Sequence, residues 1–164
     1  MKTETSRHPD VRHPQLYAPR HEDPYREAGK PAQGARCASC GVVFRNGRWA
    51  WGRAPKDAIA TTCPACLRIQ DRFPGGYLVL KGPFVQEHRE ELRALVRARE
   101  AHERAEHPLE RVMDIGERPE ALEITTTGNH LARAIANAVH AAYEGSLKSR
   151  YEPGENFLRA VWTR

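Results

Sequence analysis

The pattern of hydrophobic and polar residues predicts a β-hairpin in the first half of this 164-residue chain. Residues 42–44 (Val-Val-Phe) and 48–51 (Arg-Trp-Ala-Trp) are short runs of strand-forming residues. Asn46-Gly47 lies between them and is a strong signal for a type I′ turn. Because side chains alternate along a strand, Trp49 and Trp51 share one face of the predicted hairpin and Arg48 lies on the other.

From Phe84 the apolar residues recur every three to four positions, which predicts an amphipathic helix over 84–106. The apolar stripe fades beyond Val96, and the distal half carries charges of both signs on every side. This pattern is typical of a solvent-exposed connecting helix, which Pro108 ends or kinks. A short apolar segment over 109–115 and a turn over 116–120 follow it.

The last third of the chain predicts a β-α-β-β unit. Residues 122–126 alternate as a strand, and residues 129–143 place their apolar side chains on one face of a helix. Two further strands, 147–151 and 158–162, form a hairpin around a turn at 153–156. Packing of the helix on one side of the sheet leaves a set of residues on the open side, namely Lys148, Arg150, Phe157 and Arg159.

Composition limits the classes of protein that fit. A chain that is 40% hydrophobic and 29% charged has material for one modest domain or two small ones. The net charge of +5 favours acidic partners. No apolar run is long enough to predict a membrane span, and residues 1–12 are charged without the apolar core of a secretory signal. The expected location is the cytoplasm.

All four cysteines occur in two pairs, Cys37-Ala38-Ser39-Cys40 and Cys63-Pro64-Ala65-Cys66. Two residues between cysteines let one tight turn direct both thiolates at the same ion, and two such turns complete a zinc tetrahedron. The separation between the pairs is slightly longer than the usual range of about 15 to 20 residues, which a longer hairpin accommodates. Four cysteine ligands leave no open coordination position, so the pattern predicts one structural Zn²⁺.

Other uses of the cysteines are less consistent with the sequence. Two disulfides need an oxidising compartment, and a thioredoxin-like redox pair uses one such motif beside a βαβ unit. Iron in a rubredoxin-like site uses a very similar spacing and is the remaining alternative. The residues between the pairs favour zinc, because they form a basic hairpin better suited to a polyanion than to electron transfer.

The cations between the two pairs suggest contact with RNA, since Asp57 is the sole acidic residue there. They can contact phosphates while the indoles stack on unpaired bases. They can equally offset the net negative charge of four thiolates around zinc, and the indoles can simply pack in a small core. The candidate RNA-binding residues are Arg45, Arg48, Trp49, Trp51, Arg53, Lys56, Arg68, Lys148, Arg150 and Arg159. For the last three, a solubilising surface fits the sequence as well as a phosphate contact does.

These observations place the chain in the α+β class with four segments. Residues 1–36 are predicted to be a flexible, basic, proline-rich arm. Residues 37–83 are predicted to be a four-cysteine zinc ribbon module, with an outward-facing Arg68 on a helical turn at 67–73 and a strand at 77–80. Residues 84–107 form the charged connecting helix, and 108–164 form the β-α-β-β domain.

Several segments resemble one known family. Residues 108–115 (PLERVMDI), 123–127 (EITTT), 130–135 (HLARAI), 143–145 (YEG) and 158–162 (LRAVW) are similar to the large-ribosomal-subunit nuclear export adapter family, named for nonsense-mediated decay, and to its archaeal homologues. The order of zinc knuckles, charged helix and C-terminal unit is also similar over residues 37–164. Eukaryotic members carry further cysteine pairs, later domains and transport signals that this sequence lacks. The resemblance therefore implies a short, prokaryotic-like relative that binds the large ribosomal subunit, and not nuclear export.

The sequence predicts no enzyme chemistry, since it has no Gly-rich phosphate loop, nucleophile elbow or His-Glu-x-x-His helix. The first hypothesis is a non-enzymatic zinc-binding factor that binds the ribosome through large-subunit rRNA and proteins, in stress, hibernation or assembly. It would have no small-molecule substrate and no membrane partner. The alternative is a zinc-ribbon adapter for protein interaction or regulation.

Overall fold

The computed structural model describes residues 23, 25, 29–152 and 156–164, which form a mixed α+β fold with two sheets and four helices. The predicted α+β class is confirmed. Most of the predicted arm, and the central residues of the predicted turn at 153–156, lie outside the described residues. The end of the predicted flexible arm is fixed on the first sheet, because Ala35 is buried and Gly34 N–H donates to Phe44 O at 2.8 Å.

The first sheet contains four short strands: β1 (Arg36–Cys37), β2 (Val43–Arg45), β3 (Arg48–Ala50) and β4 (Ala60–Thr61). Their order is β3-β2-β1-β4, and β1 and β4 are parallel. The predicted hairpin is confirmed as the β2–β3 pair, in which Asn46 and Gly47 have φ values of 50° and 78°. Positive φ at both positions is the requirement of a type I′ turn. Helix α1 (Pro64–Asp71) follows the sheet and begins with a proline, as helices often do.

The second sheet contains five strands: β5 (Gly76–Lys81), β6 (Val112–Arg118), β7 (Ala121–Thr126), β8 (Ser146–Tyr151) and β9 (Leu158–Thr163). Their order is β6-β7-β5-β9-β8. The assignment of the strand at 77–80 to the zinc module is therefore wrong, because β5 is the central strand of this sheet. It pairs antiparallel with β7 and parallel with β9. A strand's local pattern predicts its existence but does not identify partners so distant in sequence.

Strand β6 also differs from the prediction of a short apolar segment and a turn over 116–120. The strand continues through Gly116 to Arg118, and the turn is confined to the residues before β7. The end of β6 is an edge-strand segment of one glycine and two charged residues, which resembles a turn in sequence. In the first half of β6, a register shift between Val112 and Asp114 interrupts the alternation that marks a strand. The predicted β-α-β-β unit is thus part of a larger sheet that includes β5 and β6.

Three helices cover one face of the second sheet: α2 (Pro83–Glu87), α3 (Arg89–Glu106) and α4 (Asn129–Tyr143). The bounds of α4 agree with the sequence prediction. The single helix predicted over 84–106 is broken at His88, whose imidazole stacks on the Phe84 ring with centroids 4.0 Å apart. The shared core includes Leu78, Leu80, Val85, Leu92, Val96, Leu122, Ile124, Leu131, Ile135, Val139 and Trp162.

The other face of the second sheet carries residues that are all partly or fully exposed, and it is called the open face below. Lys148, Arg150 and Arg159 lie on it, as predicted. The prediction that Phe157 shares this exposure is wrong, because its side chain is buried just before β9. Among the described residues, no helix has the length and apolar character that a membrane crossing requires.

Candidate metal centre and its surroundings

The four cysteine sulfurs converge because each pair lies in a tight backbone turn. In the first turn, Gly41 N–H donates to Cys37 O at 2.9 Å, and Gly41 has a φ of 82°. In the second, Cys63 is the N-cap of α1, and Cys66 N–H donates to its sulfur at 3.5 Å. The β2–β3 hairpin connects the turns, and the pairing of β1 with β4 brings them together.

The distances between the sulfurs suit a tetrahedral ion. All four Sγ atoms lie within 4.8 Å of one another, and Cys40 Sγ and Cys63 Sγ are 3.7 Å apart. A zinc–sulfur distance of about 2.3 Å places tetrahedral ligands about 3.8 Å apart. A disulfide requires about 2.05 Å, and all four cysteines are free. The four thiols therefore form a cluster that can hold one metal ion.

Burial and backbone donors set the pKa values of these thiols. Burial acts to raise the pKa of Cys37, but the backbone N–H groups of Cys63, Cys40 and Ser39 outweigh it and lower the pKa to about 6. Burial raises the pKa of Cys63 and the pKa of Cys66. Metal binding at neutral pH must therefore displace protons from Cys63 and Cys66.

Arg111, which lies in the loop before β6, reaches the cysteine cluster from the other half of the chain. Its Nη2 donates to Cys40 Sγ at 2.9 Å and its Nη1 donates to Cys66 Sγ at 3.3 Å. Its Nη2 also lies 3.9 Å from Cys63 Sγ. The residue is only 6% exposed, and its Nε donates to Pro108 O at 3.0 Å. One guanidinium thus contacts three of the four sulfurs.

The charge of Arg111 supports a metal-bound, ionised cluster. A guanidinium stays charged at any ordinary pH, and a buried charge is unfavourable without an opposite charge beside it. None of the described carboxylates forms an ion pair with Arg111, and its side-chain donors face the sulfurs and Pro108 O. Four thiolates around a divalent ion carry the net negative charge that this position requires. The residues present therefore fit a four-thiolate metal site.

Sequence reasoning did not identify Arg111 as part of this site. The sequence separation between Arg111 and Cys66 is 45, and between Arg111 and Cys40 it is 71. No local pattern marks an arginine at such a distance as a neighbour of thiolates. In the sequence, Arg111 belongs to the PLERVMDI segment that carries the family resemblance.

The part of the chain that carries the cysteine cluster, from β1 to α1 (residues 36–71), is called the metal module below. Four predicted RNA-binding cations lie exposed on it. Arg45 and Arg48 face each other across the β2–β3 turn, and Arg53 and Lys56 lie in the loop that follows. None of the four forms an ion pair with a described carboxylate. Four of the five arginines of α3 differ, because Arg89, Arg93, Arg97 and Arg99 pair with glutamates.

The two hairpin tryptophans have different surroundings. The Trp49 ring is tilted against Phe44 with centroids 5.5 Å apart and packs on the cysteine cluster, as the packing interpretation predicts. Trp51 is 41% exposed, and its Nε1 donates to Arg104 O at 2.7 Å. A groove of about 1350 Å³ lies between the hairpin and residues 105–110, and both indoles line it.

The sequence predicts an outward-facing Arg68, but this prediction is wrong because the side chain is largely buried. Its side chain is 11% exposed and pairs with Asp23 at 2.6 Å, while its guanidinium lies 4.6 Å from the Tyr25 ring centroid. The structure therefore separates Arg68 from the exposed hairpin cations. The remaining candidates, Lys148, Arg150 and Arg159, lie on the open face of the second sheet, whereas the hairpin belongs to the first sheet.

Comparison of the chain with models of protein families, with curated proteins and with solved structures gives no match.

Proposed function

We propose that this chain is a non-enzymatic, zinc-binding factor that binds ribosomal RNA, with the large subunit as its target. The observation that carries the proposal is the set of exposed hairpin cations without carboxylate partners among the described residues, beside a half-exposed indole. Phosphates are the natural counter-charge for such a surface, because binding them releases condensed counterions.

Zinc is the ion that best suits the cysteine cluster. Four thiolates are soft ligands arranged near tetrahedral distances, and zinc favours both. Because all four positions are protein sulfurs, the ion has no position for water, which is the arrangement of a structural site. Its role would be to hold the β2–β3 hairpin and α1 in one shape.

Trp51 and the groove beside it favour unpaired RNA over duplex RNA. Exposed aromatic rings stack on splayed bases, whereas bases inside a helix are already stacked. Arg45, Arg48 and Arg53 lie close to this ring in sequence and supply phosphate contacts. Loops and bulges of rRNA offer such bases, and the family resemblance supports the large subunit in stress, hibernation or assembly.

Co-sedimentation with ribosomal particles tests the proposal. The purified protein should pellet with large subunits at low salt and be released as the salt concentration rises. The double substitution Arg45→Gln/Arg48→Gln should weaken this binding by roughly tenfold, because two phosphate contacts are removed. Arg97→Gln/Arg133→Gln removes the same charge from the helices and should leave binding within about twofold. Failure of the wild-type protein to pellet with any particle would refute the proposal.

A protein-binding adapter is the second candidate, favoured by exposed apolar side chains on the metal module. Ile59 is 63% exposed and Ile69 is 39% exposed. Large exposed aliphatic side chains can mark a protein interface. Pull-down after nuclease treatment separates the two candidates, because partners bridged by RNA are lost and direct protein partners remain. Loss of a persistent partner on Ile59→Ser would favour the adapter.

A further inference from the structure

The open face of the second sheet brings together residues that the sequence distributes over five strands. Strand register arranges them in three lines that cross the sheet. The lines are Arg150–Arg159–Tyr77–Thr125–Asp114, Lys148–Val161–Val79–Glu123–Gly116 and Ser146–Thr163–Lys81–Ala121–Arg118. The insertion of β5 at the centre places Tyr77 and Lys81 among the cations of β8 and β9.

Charge is unevenly distributed over this face. The half formed by β5, β9 and β8 carries Lys81, Lys148, Arg150 and Arg159, and no carboxylate occupies an open-face position on these strands. The two acidic residues, Asp114 and Glu123, lie on the half formed by β6 and β7. The open-face residues of β5, β9 and β8 are called the basic sheet surface below.

Two cations of the basic sheet surface are available to an external anion. Lys81 and Lys148 are exposed and form no ion pair with a described carboxylate. Arg159 is held by Glu152, just beyond β8, at 2.7 Å, and Arg150 lies 3.5 Å from the same carboxylate with a side chain that is 75% exposed. The Glu152 carboxylate is shared by Arg150 and Arg159, so the basic sheet surface has a net positive charge.

The centre of the basic sheet surface is aromatic and aliphatic. Tyr77 lies on the central strand and is half-buried, with the Arg159 guanidinium 5.8 Å from its ring centroid. Val79 and Val161 are its partly exposed neighbours in the next line. The Tyr77 ring lies between Arg159 on β9 and Glu123 on β7, and the Glu123 carboxylate interacts with the Tyr77 hydroxyl. An aromatic ring on a central strand with cations on the rim is how sheet surfaces hold unpaired bases while the rim contacts phosphates.

We propose that the basic sheet surface is a second RNA-binding site, which takes a single-stranded segment with a base on Tyr77 and phosphates on Lys81, Lys148 and Arg150. This inference rests on the proposed function, because it extends RNA binding from the hairpin to the sheet. Single-stranded RNA fits better than a duplex, since a duplex presents phosphates and no free base to the ring. Charge complementarity selects RNA over an apolar protein surface.

The test uses the full chain loaded with zinc and two probes, fluorescein-labelled oligouridine and its duplex with oligoadenine. Lys148→Gln/Arg150→Gln should weaken oligouridine binding by roughly tenfold and lower the slope of log affinity against log salt by about 1.4, which is two phosphates at about 0.7 each. The control pair Arg97→Gln/Arg133→Gln loses the same charge on the opposite side of the sheet and should change neither quantity appreciably.

Ultraviolet crosslinking supplies a readout that does not depend on charge. Tyr77 should crosslink to oligouridine, Tyr77→Phe should keep most of the affinity and Tyr77→Ser should lose it, with thermal unfolding confirming that each variant is folded. Equal weakening by the control pair, or a crosslink confined to the hairpin, would overturn the inference. Loss of a nuclease-resistant protein partner from the Lys148→Gln/Arg150→Gln variant, with RNA binding unchanged, would assign the surface to a protein instead.

The two proposals fail in distinguishable ways. If oligouridine binding is weakened by the Arg45→Gln/Arg48→Gln pair and not by the Lys148→Gln/Arg150→Gln pair, the second site is refuted and the proposed function stands. If the wild-type protein binds neither RNA nor ribosomal particles, the proposed function itself is refuted.

Discussion

Arg111 is the residue on which the metal centre and the second sheet both depend. Its side chain donates to the sulfurs of Cys40 and Cys66, and its backbone N–H donates to Thr127 Oγ1 at 2.9 Å. Thr127 follows β7, so the same residue is fixed to the sheet and to the thiolates. Hydrogen bonds to coordinating sulfurs orient the ligands and stabilise their negative charge.

Substitution of Arg111 should therefore weaken metal binding without touching a ligand. We expect Arg111→Gln to lower zinc affinity by roughly 10- to 100-fold, the range typical of partners of metal ligands. Arg111→Lys keeps the charge and should therefore lose less zinc affinity than Arg111→Gln. It should still lose some affinity, because one ammonium cannot reach three sulfurs with the same geometry. Competition with a chromogenic chelator measures both, with Arg97→Gln as the control. Unchanged affinity in Arg111→Gln would show that the guanidinium is not part of the metal centre.

Helix α4 shows how an element can begin without a cap of its own. Its N-cap residue is Gly128, which has no side chain to accept a hydrogen bond. Glu110 supplies the acceptor from the loop before β6, and Leu131 N–H donates to its Oε2 at 3.0 Å. A methyl group at residue 128 would lie 2.5 Å from Glu110 Oε1. The glycine thus leaves space for a carboxylate that stabilises the first turn.

This cap has a pH dependence whose sign follows from the pKa of Glu110. Burial is the largest effect and raises that pKa. The Leu131 N–H and the nearby His130 and His107 act to lower the pKa, and Glu103 acts to raise it further. Burial outweighs the lowering effects, so the pKa is raised. Because the pKa of Glu110 is higher in the folded protein than in the unfolded chain, Glu110 contributes to stability at pH values below its unfolded pKa. This contribution is lost as the pH rises through the folded pKa.

Two substitutions at Glu110 separate the cap from its charge. Glu110→Ala removes the acceptor and should lower the free energy of unfolding by about 1 kcal/mol, as loss of an N-cap does. Glu110→Gln keeps an acceptor without the charge, so its stability relative to wild type should rise as the pH increases through the raised folded pKa of Glu110. Urea unfolding at several pH values measures both effects. A difference between Glu110→Gln and wild type that does not depend on pH would contradict the assigned pKa direction.

The elements also show which parts of this fold the sequence predicts. Asn46-Gly47 and the apolar face of α4 are local signals, and the hairpin and the helix occur where these signals place them. The partners of β5 are distant residues of β7 and β9, and the bulge in β6 hides its alternation. The cysteine spacing predicts the metal ligands, but the Arg111 contact and the Arg68–Asp23 pair depend on tertiary packing alone.

At the scale of the whole molecule, contacts among the described residues join the metal module to the second sheet and to the helices that cover it. Arg111 contacts the thiolates, Trp51 donates to the C-terminal turn of α3, and Gly75 N–H donates to Thr126 O at 2.8 Å beside β7. The module itself has a small core that consists largely of its own cysteines. The second sheet has a separate and much larger core around Trp162. Metal loss should therefore affect the two parts unequally.

We expect removal of the metal by a chelator, or the substitution Cys63→Ser, to unfold the metal module first and to abolish RNA binding by the hairpin as a consequence. The free energy of metal binding is also folding free energy for a module with so little apolar core. Amide exchange should lose its protection in β2, β3 and α1, while β5, β7 and α4 stay protected. In a Trp162→Phe background, indole emission reports on Trp49 and Trp51 alone and should shift towards that of exposed tryptophan. A Cys63→Ser protein that has lost its metal and still binds RNA like wild type would show that the hairpin keeps its shape without the ion, and the metal would then have no part in recognition.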